Sequence, residues 1–152
     1  MRARWNEEVT LALERGAIER ATASGASLDL FEVAGSFELP AAVALLADSG
    51  RFDAIVPIGC LVRGETPHFE ILANAVARGL LELSITYPVA IPFGVLTCDT
   101  IEQARDRAGG KAGNKGAEAM DAALELVLLR QAVKRRAKSS RPRASASSRS
   151  TR

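Results

Sequence analysis

Ala54-Ile55-Val56-Pro57-Ile58-Gly59-Cys60-Leu61-Val62 runs directly into Arg63-Gly64-Glu65-Thr66-Pro67-His68-Phe69. Nine residues without a charged side chain, rich in β-branched types, read as a strand covered on both faces. Thr66-Pro67 then predicts a helix start, with the hydroxyl at the N-cap and proline at the first helical position. Phe69, Leu72, Val76, Leu80 and Leu83 follow on one apolar stripe. A covered strand feeding an amphipathic helix is half of a βαβ unit, so the segment implies an α/β fold built on a parallel sheet.

The flanking sequence repeats that grammar. Val89 to Thr97 is a second covered strand, and Leu28 to Val33 alternates like a strand with one more exposed side. Asn6 is placed to cap a helix whose first turn carries Glu7 and Glu8. Pro40 opens a helix with Val43 and Leu46 inward. Thr100-Ile101-Glu102-Gln103 fits a capping box, and Gly109-Gly110 ends that helix. The last helix follows Gly116, with Met120, Leu124, Val127 and Leu128 on one face. There is no internal repeat. In such sheets ligands bind beyond the carboxyl ends of the strands, which singles out 34–38, 63–68 and the surroundings of Phe93-Gly94.

The 152 residues, 47% hydrophobic and 25% charged, suit one domain and exclude a wholly disordered or fibrous chain. No apolar run reaches the roughly 20 residues of a membrane-spanning helix. The first residues turn acidic where a secretory signal turns apolar, and Cys60 and Cys98 lie in apolar stretches, so a reducing cytoplasm is expected. The net charge of +2 conceals two parts. Residues 134–152 hold eight Lys and Arg, six Ser and no acid, leaving 12 cations against 18 acids, a net −6, in residues 1–133. Residues 1–133 are therefore expected to form the domain and 134–152 a disordered basic tail. Its clustered cations would attract polyanions, but no aromatic is interleaved for stacking on nucleic acid.

Several residues at the strand ends can carry chemistry, each with a plainer reading beside it. His68 exchanges protons near neutral pH, or is a surface or capping histidine. Free N–H groups at the helix start beside Gly64 suit an anion. Arg107, with the glycines and lysines of 108–116, can cradle a phosphate without being a Walker A loop; a flexible connector has the same composition. Glu38 can accept N–H bonds from a heterocycle beside Phe37, or only serve the helix dipole. Trp5 can stack on a planar ring or staple a helix end. Phe93 is a ligand platform or core. One histidine and two distant cysteines make no metal-ligand cluster, and neither a dinucleotide fingerprint nor a nucleophile elbow is present.

Taken in order, Trp5-Asn6, Gly35-Ser36-Phe37-Glu38-Leu39-Pro40, Gly59 to Phe69, Phe93-Gly94-Val95-Leu96-Thr97, Arg107-Ala108-Gly109 and Gly113-Asn114-Lys115-Gly116 resemble lumazine synthase over about residues 5–130. The resemblance implies a flavodoxin-like three-layer α/β/α fold and a homopentamer, packed in some members into an icosahedral shell, with riboflavin synthase as a candidate partner. It implies condensation of 5-amino-6-(D-ribitylamino)uracil with 3,4-dihydroxy-2-butanone 4-phosphate to 6,7-dimethyl-8-ribityllumazine, without metal or organic cofactor. Carried over, Trp5 stacks on the pyrimidine. Ser36, Phe37, Glu38, Cys60, Leu61 and Val62 hold its ribityl side, and Phe93 reaches in from the neighbouring subunit. Glu65 and Thr66 offer helix-start N–H groups to the phosphate, the neighbour's Arg107 supplies the counter-charge, and Lys115 is a further cation there. His68 transfers protons. The family's first strand precedes the Trp5 position, central in the sheet. Met1-Arg2-Ala3-Arg4 are too few and too polar to replace it, so that strand is expected to be missing, with an upstream apolar strand or another segment filling the gap. Two alternatives to the enzyme are a catalytically weak shell-forming scaffold of the same fold and a polyanion-binding module driven by the tail.

Overall fold

The computed structural model describes residues 1–139. Its strands are β1 (Arg2–Ala3), β2 (Glu32–Val33), β3 (Ile58–Val62), β4 (Gly94–Cys98), β5 (Ala108–Gly110) and β6 (Gly113–Asn114). Its helices are α1 (Glu7–Ala23), α2 (Leu39–Asp48), α3 (His68–Thr86), α4 (Ile101–Arg107) and α5 (Lys115–Ser139), with a 3₁₀ turn at Ser36–Glu38. The first four strands form one parallel sheet in the order β2-β1-β3-β4. Side chains alternate across it. Ile58, Cys60, Leu96 and Cys98 pack against α1, α4 and α5, and Ala3 and Val95 against α2 and α3. Three layers result, as expected. No helix among the described residues is long and apolar enough to cross a membrane.

The expected loss of the first strand is corrected. Arg2–Ala3 occupy the central position between β2 and β3. Arg2 N–H donates to the Phe31 carbonyl at 2.9 Å, and the Met1 carbonyl accepts from Ile58 N–H at 2.8 Å. Ala3 is small enough to be fully buried. Arg2 is buried because Glu14, Glu7 and Glu32 all pair with its guanidinium. A cation surrounded by carboxylates takes a place that apolar patterning reserves for a hydrophobe.

Further details differ from expectation. β3 takes only Ile58–Val62 of the apolar run 54–62, and β4 is Gly94–Cys98 in place of the expected 89–97. Only Glu32–Val33 of the alternating run 28–33 pair in the sheet, and Leu28 and Leu30 stay exposed. α3 begins one residue late: Pro67 takes the N-cap position, so Thr66 does not cap. Leu128, expected on the inner face of α5, is exposed, whereas Met120 is buried. α5 also runs on through Ser139, taking in the first residues of the expected tail; the remainder of 134–152 lies outside the described residues. A cavity of about 450 Å³ opens near Met1, Leu28–Phe31 and Ala54–Val56, at the amino ends of the strands. None of the expected site residues lines it.

Candidate active site

The carboxyl ends of β1 and β3, with the turn after β2, gather one set of the expected residues. Trp5 follows β1, its N–H bonded to the Ala34 carbonyl at 3.2 Å, and its ring lies beside Gly35. It is 73% exposed, so it does not staple α1. Asn6 precedes α1 in the left-handed region (φ 56°) and makes no side-chain cap. Its amide instead donates to the Cys60 carbonyl at 2.9 Å, tying the start of α1 to β3. Gly35 N–H donates to the Glu38 carboxylate at 2.9 Å, which closes the 3₁₀ turn and presents Phe37 outward. Ser36 packs against Gly59, buried, and its hydroxyl has no hydrogen-bond partner among the described residues. A buried orphan hydroxyl at the end of a strand is a group waiting for a partner.

Cys60 is buried, and burial pushes its thiol up to about 12, so it stays protonated and is no nucleophile at neutral pH. Its contribution is backbone and shape. Leu61 and Val62 are half-buried beyond it. Glu65 and Thr66 lie in the exposed loop before α3. The N–H groups of α3 that lack intrahelical partners therefore belong to His68, Phe69 and Glu70, a correction to the expected donors. His68 is exposed at the first helical position.

The second set lies along the open edge of β4. A groove of about 280 Å³ is lined by Phe93, Thr97, Cys98, Arg107, Lys115 and Glu118, among others, and by none of the first set. Phe93 is half exposed here rather than core. Lys115 pairs with Glu118 at 2.7 Å. Arg107 donates only to the Gln103 carbonyl, at 3.2 Å, and makes no ion pair among the described residues. An uncompensated guanidinium in a groove is a site for an anion. The chain thus brings together Trp5, Ser36, Glu38 and Cys60 at one place and Phe93, Arg107 and Lys115 at another.

The segment 107–116 is not a loose connector. It is a tight β5–β6 hairpin leading into α5. Asn114 Oδ1 accepts from Gly116 and Ala117 N–H, and its amide donates to the Ala12 carbonyl of α1 at 2.9 Å. Gly16 and Gly116 are glycine because α1 and α5 meet there: a Cβ at Gly116 would run into the Leu13 carbonyl, and one at Gly16 into Asn114. Sequence patterning passes over Asn114 and Arg63, whose roles rest on partners far along the chain. Arg63 follows β3 and bonds Asp99 and Glu70. For Asn114 the only local signal is a capping residue ahead of a helix.

A family model described as 6,7-dimethyl-8-ribityllumazine synthase matches residues 1–131. Proteins named 6,7-dimethyl-8-ribityllumazine synthase align over most of the chain. That of Gemmatimonas aurantiaca is 47% identical over 82% of this chain and 78% of its own length. That of an Anaeromyxobacter species is 46% identical over 87% and 83%, and that of Thermus thermophilus 47% over 87% and 86%. With the three-layer parallel fold and the strand-end residues in place, these matches show that the chain belongs to the 6,7-dimethyl-8-ribityllumazine synthase family, transferases of riboflavin biosynthesis.

Proposed function

We propose that the chain carries out the family's condensation at a site shared by two copies, the strand-end residues of one facing the β4 groove of the next. The observation that carries this reading is the separation of the two sets: Arg107, without an ion pair among the described residues, and the exposed Phe93 line a groove that contains none of the strand-end residues. Exposed apolar side chains on the helical layers, Leu45, Ile71, Leu81 and Ile85, give such a contact apolar surface to bury. A closed ring of five copies, as in the family the sequence resembles, satisfies every site with one kind of contact. Packing of pentamers into an icosahedral shell and association with riboflavin synthase belong to the same reading. Buried free thiols suit the cytoplasm.

Within that site Trp5 stacks on the pyrimidine, and Ser36, Phe37, Glu38 and the Cys60–Val62 backbone hold its ribityl side. The phosphate of the second substrate meets the free N–H groups of His68, Phe69 and Glu70 at the start of α3, beside the Glu65–Thr66 loop, and the neighbour's Arg107 and Lys115. The uracil 5-amino group attacks the ketone, water leaves as the imine forms, and phosphate departs by elimination before ring closure expels a second water. His68 moves the protons these steps require. Holding both reactants together supplies the larger share of the acceleration.

Arg107→Ala tests the assignment. Loss of a charge-assisted contact raises KM for 3,4-dihydroxy-2-butanone 4-phosphate by roughly tenfold or more, with KM for the pyrimidine little changed. Steady-state kinetics with each substrate varied in turn checks this. An unchanged KM for the phosphate substrate contradicts the shared site.

A further inference from the structure

We infer that Arg63 is a positioning residue for the phosphate end of the site, holding the first turn of α3 against the end of β4 and cancelling two carboxylates beside it. The inference rests on the reading that phosphate is met at the start of α3 and by Arg107.

Arg63 is the first residue beyond β3, and its own N–H donates to the Cys98 carbonyl at 2.9 Å, extending the β3–β4 pairing by one bond. From there the side chain makes three contacts at once. Its Nε meets Asp99 Oδ1, just past β4, at 2.6 Å. Its Nη1 meets Glu70 in the first turn of α3. The guanidinium carbon sits 4.5 Å from the centroid of the Phe69 ring. One planar cation thus joins two strand ends to a helix start, a task that suits the fork of arginine better than the point charge of lysine.

Two consequences follow for an anionic substrate. Gly64 has no atom within 4 Å of its Cβ direction, and 64–66 are exposed, so little besides Arg63 orients the entry into α3. Without the guanidinium, Asp99 and Glu70 also become two uncompensated negative charges next to an arriving phosphate. Arg63 itself is not the phosphate ligand, because its Nε and Nη1 are already met by carboxylates, whereas Arg107 makes no ion pair among the described residues. Exposed ion pairs contribute little to folding, so the residue can be removed from a folded enzyme.

The test is steady-state kinetics of the assembled full-length chain with both substrates varied. Arg63→Ala raises KM for the butanone phosphate about fivefold, within the reach of two lost surface pairs. KM for the pyrimidine and kcat stay within about twofold of the parent. Adding Asp99→Asn to Arg63→Ala brings the phosphate KM back toward the parent value, because the exposed carboxylate is gone; a merely structural role has no such rescue. Arg63→Lys, which keeps the charge and meets one carboxylate, gives about a twofold rise and carries the same test should Arg63→Ala not assemble. An unchanged phosphate KM in Arg63→Ala and Arg63→Lys, an equal rise for both substrates, or a double variant worse than Arg63→Ala overturns the inference. Arg107→Ala separates the two ideas. If it raises the phosphate KM and Arg63→Ala does not, only the positioning role falls. If neither moves it, the placement of the phosphate falls as well.

Discussion

His68→Ala lowers kcat by roughly a hundredfold, the lower end of what a positioned proton-transfer group supplies, and leaves the protein folded. The side chain is exposed at the first position of α3 and holds nothing in place, so its loss leaves the melting temperature within a few degrees. Activity survives because amine and ketone are held together in one cleft, and proximity does not depend on the imidazole. The measurement is single-turnover lumazine formation, followed by fluorescence, alongside thermal unfolding. Turnover equal to the parent removes the proton-transfer role. Complete loss of activity in a folded assembly contradicts the weight placed on proximity.

Gly116→Ala has the largest expected effect on stability. α1 and α5 meet backbone to backbone here, since a Cβ on Gly116 would run into the Leu13 carbonyl oxygen. The neighbour is main chain and cannot rotate aside. α5 must move away from α1, opening the cluster of Val9, Leu13, Ala17, Met120 and Ala123. Overpacking of this kind costs about 3 kcal/mol, which in a chain of this size lowers the melting temperature by roughly 10 °C. Gly64→Ala is the control: its Cβ meets nothing within 4 Å, so the change stays within about 0.5 kcal/mol. A Gly116→Ala protein that melts with the parent shows that the two helices are not locked at this point.

Much of the fold is legible without coordinates. The apolar run 54–62, whose last five residues form β3, and the stripe from Phe69 to Leu83 specify a covered strand and the helix after it, because burial on two faces or one leaves a period that local sequence displays. Thr100 caps α4 through Gln103 N–H at 3.2 Å, as its spacing predicts. Patterning fails at Arg2, where a cation sits in the central strand. The carboxylates that admit it, Glu7, Glu14 and Glu32, are 5, 12 and 30 residues away and belong to two other elements. It fails again at 107–116, where composition suits a flexible connector and the chain forms a hairpin pinned to α1 by Asn114.

The order of residues along the chain by itself determined the α/β class and the helix that follows β3, and it named the candidates for stacking and proton transfer. Those properties are local, set by side-chain chemistry and by spacing within one element. Tertiary structure alone decided that Arg2 completes the sheet, that Arg63 is engaged while Arg107 makes no ion pair among the described residues, and that the expected site residues fall into two separate sets. Each depends on the packing of elements tens of residues apart, where a charge is either met by a partner or left for a ligand, and no period in the sequence encodes which.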